Sequence, residues 1–210
     1  GEGAESKNSE LGRMLAEVAS TSPQIQLSQV AASSSVPTFE ILNSQGNTAA
    51  RFRAIPGGHE FSSLILSILY ADHQGRQPDS GIIARIKSLK GPIRVTTYMS
   101  LGCENCPEVV QALNLMAMHH EDFVHETVDG ALAQDEVTAL GIQGVPAVVV
   151  GTQLLHSGKS SLSELLAKLE AHFGKAQTSV TPTDLGSFDV AVIGGGPAGA
   201  SAAIYSVRKG

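Results

Sequence analysis

The chain has 210 residues, of which 42% are hydrophobic, and a formal net charge of −6. This length suits one to two domains with a sizeable core, and an acidic chain without a basic cluster is not expected to bind nucleic acid. The two cysteines are too few for the disulfide framework of a small secreted scaffold.

The first ninety residues alternate between helical and extended patterns. Residues 1–8 are small and polar and are expected to fray, and a turn at 43–47 should join two antiparallel strands. In chain order, we predict a helix over 9–20, a strand at 25–27, a loop at 31–35, strands over 36–42 and 50–55, a helix carrying Phe61 to Leu69, and a helix over 79–89.

The second half has the same order of elements. Its first helix carries one polar stripe, formed by Glu108, Gln111 and Asn114. The two halves resemble a diverged repeat in which only the second copy has cysteines, and a chance similarity is the alternative. In chain order, we predict a strand over 93–99, a helix over 107–118, a strand over 123–128, a short helix over 134–140, a strand over 144–150, a short extended segment at 154–156, and a helix over 160–173.

The last part of the chain follows a polar linker. Residues 188–193 have the pattern of a buried strand, a glycine-rich turn covers 194–199, and an alanine-rich helix is predicted over 200–208. Residues 190–207 carry no charge and have the length of a membrane span. Their glycines and proline, with charged residues on both sides, argue against one.

Cys103 and Cys106 lie between a predicted strand and a predicted helix. A Cys-x-x-Cys pair in this setting is typical of redox-active cysteines. If the helix begins near Cys103, its free N–H groups and dipole stabilise a thiolate there and make Cys103, the more exposed sulfur, the nucleophile. Cys106 can then resolve the mixed disulfide.

Zinc is an alternative use of the same cysteines. Cys103 and Cys106, with His119 and His125, match a zinc-finger spacing. Zinc ligands must lie within a few ångströms of one another, but the predicted helix separates Cys106 from His119 by roughly 20 Å. Zinc is therefore disfavoured, His119 is expected at a solvated helix end, and inert structural cysteines are the other alternative.

Two further residues could belong to such a site. A proline that opens a strand, as Pro146 does, is most often an edge residue. In a dithiol fold it can instead be cis, lie opposite the cysteines, and leave the Val145 backbone free to pair with an extended segment, which is the interpretation we favour. Glu60 stands at the start of a helix, where a carboxylate is stable without any function.

The pattern Gly194-x-Gly196-x-x-Gly199, with Pro197 inside it, follows a predicted strand and opens a predicted helix. This is the context of a dinucleotide-binding turn, in which the backbone approaches a pyrophosphate at the helix N-terminus. The acidic residue expected about 20 residues later is missing. We therefore expect only the first βα unit of such a domain, with no cofactor bound to this chain.

These motifs together resemble the flavoprotein component of bacterial alkyl hydroperoxide reductases. The resemblance implies an α/β protein with two tandem thioredoxin-like folds, one of them redox-active, then a linker and the first βα unit of a truncated Rossmann-type FAD domain. The similarity is carried by residues 56–61, 103–116, 128–130, 144–148 and 194–199. The implied boundaries are 1–90 for the lobe without cysteines, 91–174 for the lobe with the cysteine pair, 175–187 for the linker, and 188–210 for the start of the FAD domain.

The resemblance also implies an activity. Electrons would pass from NADH to FAD, to a second dithiol that this chain lacks, to Cys103 and Cys106, and then to the disulfide of a peroxiredoxin. Glu60 maps onto a buried acid that assists proton transfer at the dithiol. The implied parent is a cytoplasmic homodimer for peroxide detoxification, with its own C-terminal flavoprotein module as a second partner and without nucleic-acid or membrane contacts.

Two hypotheses from other classes stay open. A non-catalytic adaptor with incidental cysteines would keep its partner binding after both cysteines are replaced. A stand-alone disulfide oxidoreductase is disfavoured by the glycine-rich segment, which has no place at the end of such a protein.

Overall fold

The computed structural model describes residues 2–30, 36–42, 46–176 and 186–209. The chain divides into two units, residues 1–177 and residues 178–210. The elements of the first unit are α1 (Glu2–Ser20), β1 (Phe39–Leu42), β2 (Thr48–Arg53), a 3-10 turn (Gly58–Glu60), α2 (Phe61–Ala71), α3 (Ser80–Lys87), β3 (Ile93–Met99), α4 (Cys106–His119), β4 (Phe123–Asp129), α5 (Gln134–Ala139), β5 (Ala147–Val150), β6 (Gln153–Ser157) and α6 (Leu162–Phe173).

The strands form one sheet with the order β1-β2-β4-β3-β5-β6. β2, β4 and β3 run parallel, whereas β1 is antiparallel to β2, β5 to β3, and β6 to β5. Both halves of the chain contribute, because β2 of the first half pairs with β4 of the second, from Arg51 beside Glu126 to Arg53 beside Val128. The predicted α/β class is confirmed, and the two halves share one sheet instead of forming two.

The core lies on both faces of this sheet. On one face α4 packs against the strands and contacts α2, α3 and α6. The main hydrophobic cluster of the core contains residues from both halves of the chain, including Ile86, Val95, Leu113, Phe123 and Leu166. Successive strand residues point to opposite faces, so Tyr98 lies on the other side, where it packs with Val128, Val149 and residues of α5.

Side-chain caps set where two of the helices begin. Asp79 Oδ1 accepts a hydrogen bond from Ile82 N at 2.9 Å at the start of α3. At the start of α6, Ser161 and Glu164 form a capping box, in which Ser161 N donates to Glu164 Oε2 at 2.9 Å. The predictions of both helices are confirmed.

Two predictions near the N-terminus are wrong. α1 begins at Glu2, so residues 2–8 belong to a helix instead of fraying, since Ala, Glu and Lys in this stretch favour helix. Residues 25–27 form no strand, and Leu27 is half exposed. No described strand lies beside these residues to pair with them.

The hairpin is close to its prediction. β1 begins at Phe39 instead of residue 36, because Pro37 has no N–H to donate to a strand ladder. β2 returns antiparallel to it, as predicted. The predicted loop at 31–35 and most of the predicted turn at 43–47 lie outside the described residues.

The chain after α6 is tied to the end of α3. Ala176 N donates to Ser88 O at 2.6 Å, and Lys175 forms a bridge with Leu89. The first residues of the predicted linker are therefore ordered against the first half of the chain. The rest of the linker up to residue 185 lies outside the described residues.

The second unit has one helix in its described residues, α7 (Pro197–Lys209), as predicted after the glycine turn. The strand predicted over 188–193 is wrong, because these residues take no strand conformation and Ile193 is 98% exposed. A buried parallel strand needs neighbouring strands, and the described residues of this unit supply none. In the described ranges of both units, no helix is long and apolar enough to cross a membrane.

Candidate redox site

Cys103 and Cys106 form a disulfide where β3 ends and α4 begins. Cys103 N donates to Ser100 O at 3.0 Å, and Cys106 N donates to Cys103 O at 3.4 Å, which closes the turn between the two cysteines. α4 begins at Cys106, so Cys103 lies just before the helix. The positive end of the helix dipole still adjoins the disulfide through Cys106.

The two sulfur-bearing residues differ in exposure. Cys106 has no exposed surface, whereas Cys103 is partly exposed. Cys106 packs in a small cluster with Ala54 and Met99, and Leu101 lies against that cluster. A partner approaching from solvent can therefore reach Cys103 but not Cys106.

Pro146 lies beside the disulfide. The Val145–Pro146 peptide bond is cis, as predicted, and Pro146 is buried. Val145 O lies 3.8 Å from Cys103 Sγ. Because β5 begins at Ala147, the main-chain groups of Val145 lie outside the strand pairing and next to Cys103.

The turn that carries Glu60, residues 58–60, packs on the loop that carries Cys103. His59 N donates to Leu101 O at 3.2 Å. Gly58 has a φ of +54°, and a Cβ at this position would lie 2.7 Å from Leu101 O. Glycine is therefore required at position 58. The sequence shows only a pair of glycines there, and neither its composition nor its spacing points to this contact.

Glu60 is a buried acid whose carboxylate is only weakly compensated by polar neighbours. It has no exposed surface, and neither carboxylate oxygen has a hydrogen-bond partner in the part of the chain that the structure describes. Burial raises the pKa of Glu60 to about 7, and the nearby Ser63 hydroxyl offsets only part of the rise. The Glu60 turn contacts α4, the helix that Cys106 begins. Near neutral pH, Glu60 can therefore take up or release a proton inside the protein.

The histidines of the zinc alternative have other partners. His119 Nε2 lies 2.8 Å from Gln77 Oε1 at the opposite end of α4 from the cysteines. His125 is buried between Asn114 and Thr97. The described residues contain no group of three or more His, Cys, Asp or Glu side chains that could hold a metal ion.

The glycine turn of the second unit has a backbone that requires glycine. Gly194 has a φ of +112°, and a Cβ at Gly199 would collide with Gly194 O. The turn leads into α7 at Pro197. A tight turn against a helix N-terminus fits the pyrophosphate of FAD, although the strand that would precede it is not formed.

Comparison with known proteins agrees with this geometry. Residues 93–170 match the family model described as "Thioredoxin domain". A curated relative from Pseudomonas putida, the F subunit of alkyl hydroperoxide reductase, is 40% identical over 204 residues, which cover 97% of this chain and 39% of the relative. The chain is similar to part of the F subunits (AhpF) of alkyl hydroperoxide reductases. The resemblance inferred from the motifs is confirmed.

Two further proteins point the same way. A relative from Ferdinandcohnia aciditolerans named NADH dehydrogenase is 40% identical over 174 residues, which cover 83% of this chain and 33% of the relative. A solved structure of AhpF from Enterococcus faecalis matches with a TM-score of 0.72 at 27% identity and covers 78% of this chain and 84% of that one. The predicted thioredoxin-like fold is confirmed, and both named relatives are oxidoreductases by name. This chain spans about two fifths of the length of the curated AhpF relatives it matches.

Proposed function

We propose that the chain is a dithiol–disulfide electron-transfer domain that reduces a peroxiredoxin. The observation that carries this proposal is the contrast between the partly exposed Cys103 and the fully buried Cys106 at the start of α4. A dithiol reductase needs one sulfur that its partner can reach and a second one behind it that resolves the adduct. The thioredoxin-domain match and the similarity to AhpF support the same conclusion.

The exchange proceeds in two balanced steps. In the reduced chain, the Cys103 thiolate attacks one sulfur of the partner disulfide, forms a mixed disulfide and releases one partner thiolate. Cys106, once deprotonated, attacks Cys103 Sγ, re-forms the Cys103–Cys106 bond and releases the second partner thiolate. Two electrons pass to the partner, whose two thiolates take up two protons from solvent; solvent has received the proton of Cys103 and, by way of Glu60, that of Cys106.

Glu60 and Pro146 have separate roles in this scheme. Glu60 takes the proton that Cys106 loses in the second step, which its pKa of about 7 allows near neutral pH. Pro146 places the main-chain groups of Val145 beside Cys103, where an extended segment of the partner can pair with them. The role of Glu60 comes from the family resemblance, and that of Pro146 from the place of such a proline opposite the cysteines in a dithiol fold; the positions of both residues support these roles.

The parent protein is proposed from the same resemblance. Gly194, Gly196, Pro197 and Gly199 would hold the pyrophosphate of FAD, which when bound exchanges electrons between NADH and a dithiol. The full-length parent protein would be a cytoplasmic homodimer whose flavoprotein module reduces the Cys103–Cys106 disulfide. The lobe boundaries at residues 90 and 174 and the linker over 175–187 also stay predictions.

Trapping of the mixed disulfide tests the function. The chain is reduced, freed of reductant and mixed with the oxidised peroxiredoxin component of an alkyl hydroperoxide reductase system. Cys106→Ser should accumulate a one-to-one adduct, visible on a non-reducing gel and by mass spectrometry, because nothing resolves it. Cys103→Ser should neither form the adduct nor reduce the partner, and it serves as the matched control.

The opposite outcome would favour the adaptor hypothesis. In that case Cys106→Ser would form no adduct. The chain with both cysteines replaced would bind the peroxiredoxin as tightly as the unsubstituted chain does. Calorimetric titration measures that affinity.

A further inference from the structure

A buried line of hydrogen bonds crosses the core from the sheet to α2. Thr97 Oγ1 lies 2.8 Å from His125 Nε2, and His125 Nδ1 lies 2.6 Å from Asn114 Oδ1. Asn114 Nδ2 donates to Ser67 Oγ at 2.9 Å, and Ser67 Oγ donates to Ser63 O at 2.7 Å. All five residues are buried. We call this line, which joins β3, β4, α4 and α2, the Asn114 brace.

The direction of each link in the Asn114 brace follows from the orientation of the Asn114 amide. The amide oxygen of Asn114 can only accept, so His125 donates from Nδ1, and its Nε2 accepts from the Thr97 hydroxyl. Burial lowers the pKa of His125 to about 3 and keeps the ring neutral in this tautomer. Asn114 uses the other end of its amide on Ser67. Rotating this amide would require the other His125 tautomer and would turn the Ser67 hydroxyl away from Ser63 O.

The Asn114 brace is not a proton path. It passes through an amide, which does not relay protons, and it ends at the main-chain oxygen of Ser63. Nor is it a large source of stability, because each buried hydrogen bond contributes only about 1 kcal/mol net. What a fully paired polar line provides is a defined geometry, since any displacement leaves buried groups without partners.

The geometry that the brace defines is the distance between α2 and α4. α2 follows the Glu60 turn directly, and α4 begins with Cys106. Gln111 Nε2 adds hydrogen bonds to Ser62 Oγ at 3.0 Å and Ser63 Oγ at 3.4 Å, nearer to Cys106 than Asn114 is. Two residues of the polar stripe predicted on α4 thus face α2.

Glu60 depends on these anchors for its position. Its carboxylate has no hydrogen bond of good geometry among the residues described, and the Ser63 hydroxyl that lowers its pKa is itself carried by α2. The turn that carries it is held at two places, by Leu101 O on the side of the disulfide and by the first turns of α2 on the other. The contact with Leu101 O is local. The start of α2 is connected to the sheet through the Asn114 brace.

We propose that Asn114 is a positioning residue for the redox site, which holds the start of α2, and with it Glu60, in place against the helix that bears Cys106. This inference rests on the role of Glu60 in the proposed function. It implies that the first half of the chain holds that acid at a fixed position relative to the dithiol.

A double-mutant cycle between Asn114 and Glu60 tests the inference in the full chain. The chain is equilibrated with mixtures of reduced and oxidised glutathione, and the oxidised fraction is measured by alkylation and mass spectrometry. Asn114→Leu and Glu60→Gln should each change the equilibrium constant for dithiol oxidation at least threefold. With both substitutions the constant should match that of Glu60→Gln alone, because the brace acts through Glu60.

Leu113→Ala is the matched control for packing. Leu113 is the fully buried neighbour of Asn114 on α4, and its truncation loosens the same helix without touching the brace. The control should lower the denaturant midpoint and leave the glutathione constant unchanged. Should Asn114→Leu fail to fold, Ser67→Ala removes the next link, and its change should likewise vanish in the Glu60→Gln background.

Three results would overturn the inference. The first is a folded Asn114→Leu chain whose equilibrium constant for dithiol oxidation is unchanged. The second is an effect of Asn114→Leu on that constant that is equal with Glu60 and with Gln at position 60. The third is that Glu60→Gln leaves the constant unaltered. None of them involves the peroxiredoxin. The proposed function would still be judged separately, by whether Cys106→Ser traps the partner.

Discussion

Glu60 shows how much of this site depends on burial and how little on residue type. A glutamate at a helix start is ordinarily a surface residue, and nothing in its local sequence distinguishes Glu60 from one. In the structure it has no exposed surface and no hydrogen-bond partner among the described residues. Only the resemblance to a family singled it out, because the neighbours that bury a side chain come from distant parts of the chain.

The buried carboxylate should make the stability of the chain depend on pH. The pKa of Glu60 is about 7 in the folded chain, against 4.5 for an unperturbed glutamate. Between these values the folded chain keeps a proton that the unfolded chain has lost, so ionisation of Glu60 destabilises the fold as the pH rises. Gln cannot ionise. The free energy of unfolding of Glu60→Gln, minus that of the unsubstituted chain, should therefore rise by about 3 kcal/mol from pH 4.5 to pH 7.5. The slope between the two pKa values is about 1.4 kcal/mol per pH unit.

Urea unfolding of both oxidised chains across this pH range measures the difference. Ionisable groups that the two chains share cancel from it. A difference that stays constant with pH would mean that Glu60 is as well solvated in the folded chain as in the unfolded one.

At the scale of elements, segments that find a neighbouring element were predicted well, and two strand-like segments without one were not. β3 has the predicted bounds of 93–99, because its residues pack on both faces of the sheet. Residues 25–27 and 188–193 have strand-like composition, but the described residues offer them no neighbouring strand. The polar stripe of α4 was visible in the sequence, whereas its contact with α2 was not, since periodicity does not identify the partner of a helix face.

The Glu60 turn gives a prediction at this scale. Gly58→Ala should lower the free energy of unfolding by at least about 1 kcal/mol, because an L-residue at a φ of +54° is strained and the new Cβ would press on Leu101 O. Gly57→Ala is the matched control. Its φ is −92°, and its Cβ would lie 3.9 Å from Ile55 O, an ordinary contact.

Chemical denaturation of the two variants beside the parent chain measures both effects. Equal costs for Gly57→Ala and Gly58→Ala would show that the turn does not press on the cysteine loop.

At the scale of the molecule, the first unit is continuous across the repeat. Its sheet pairs β2 with β4, and its main core cluster joins Ile86 and Leu89 of the first half to Leu165, Leu166 and Leu169 of the second. Arg85 of α3 binds Glu170 of α6 through Nε at 2.8 Å. The sequence indicated two similar halves, but whether they share a sheet depends on pairings between distant strands that no local pattern encodes.

Because the two halves share a sheet and a core, a substitution that destabilises one half should also destabilise the other. Leu169→Ala removes a fully buried side chain of α6 and should cost about 2–5 kcal/mol. Native-state hydrogen exchange should then show a comparable loss of protection for the slowest amides of β2, although β2 belongs to the other half. A loss confined to β5, β6 and α6 would mean that the halves open independently.

The shared sheet also bears on how such chains can diverge. A half of the chain that carries no cysteine would be free to accumulate substitutions if thiol exchange did not depend on it. Here the cysteine-free half supplies a strand beside β4, the glycine against which the Leu101 carbonyl rests, and the serines at one end of the Asn114 brace. Selection on thiol chemistry in the second half should therefore restrict Gly58, Ser63 and Ser67 in the first, so the half without a thiol evolves under the constraints of the half that has one.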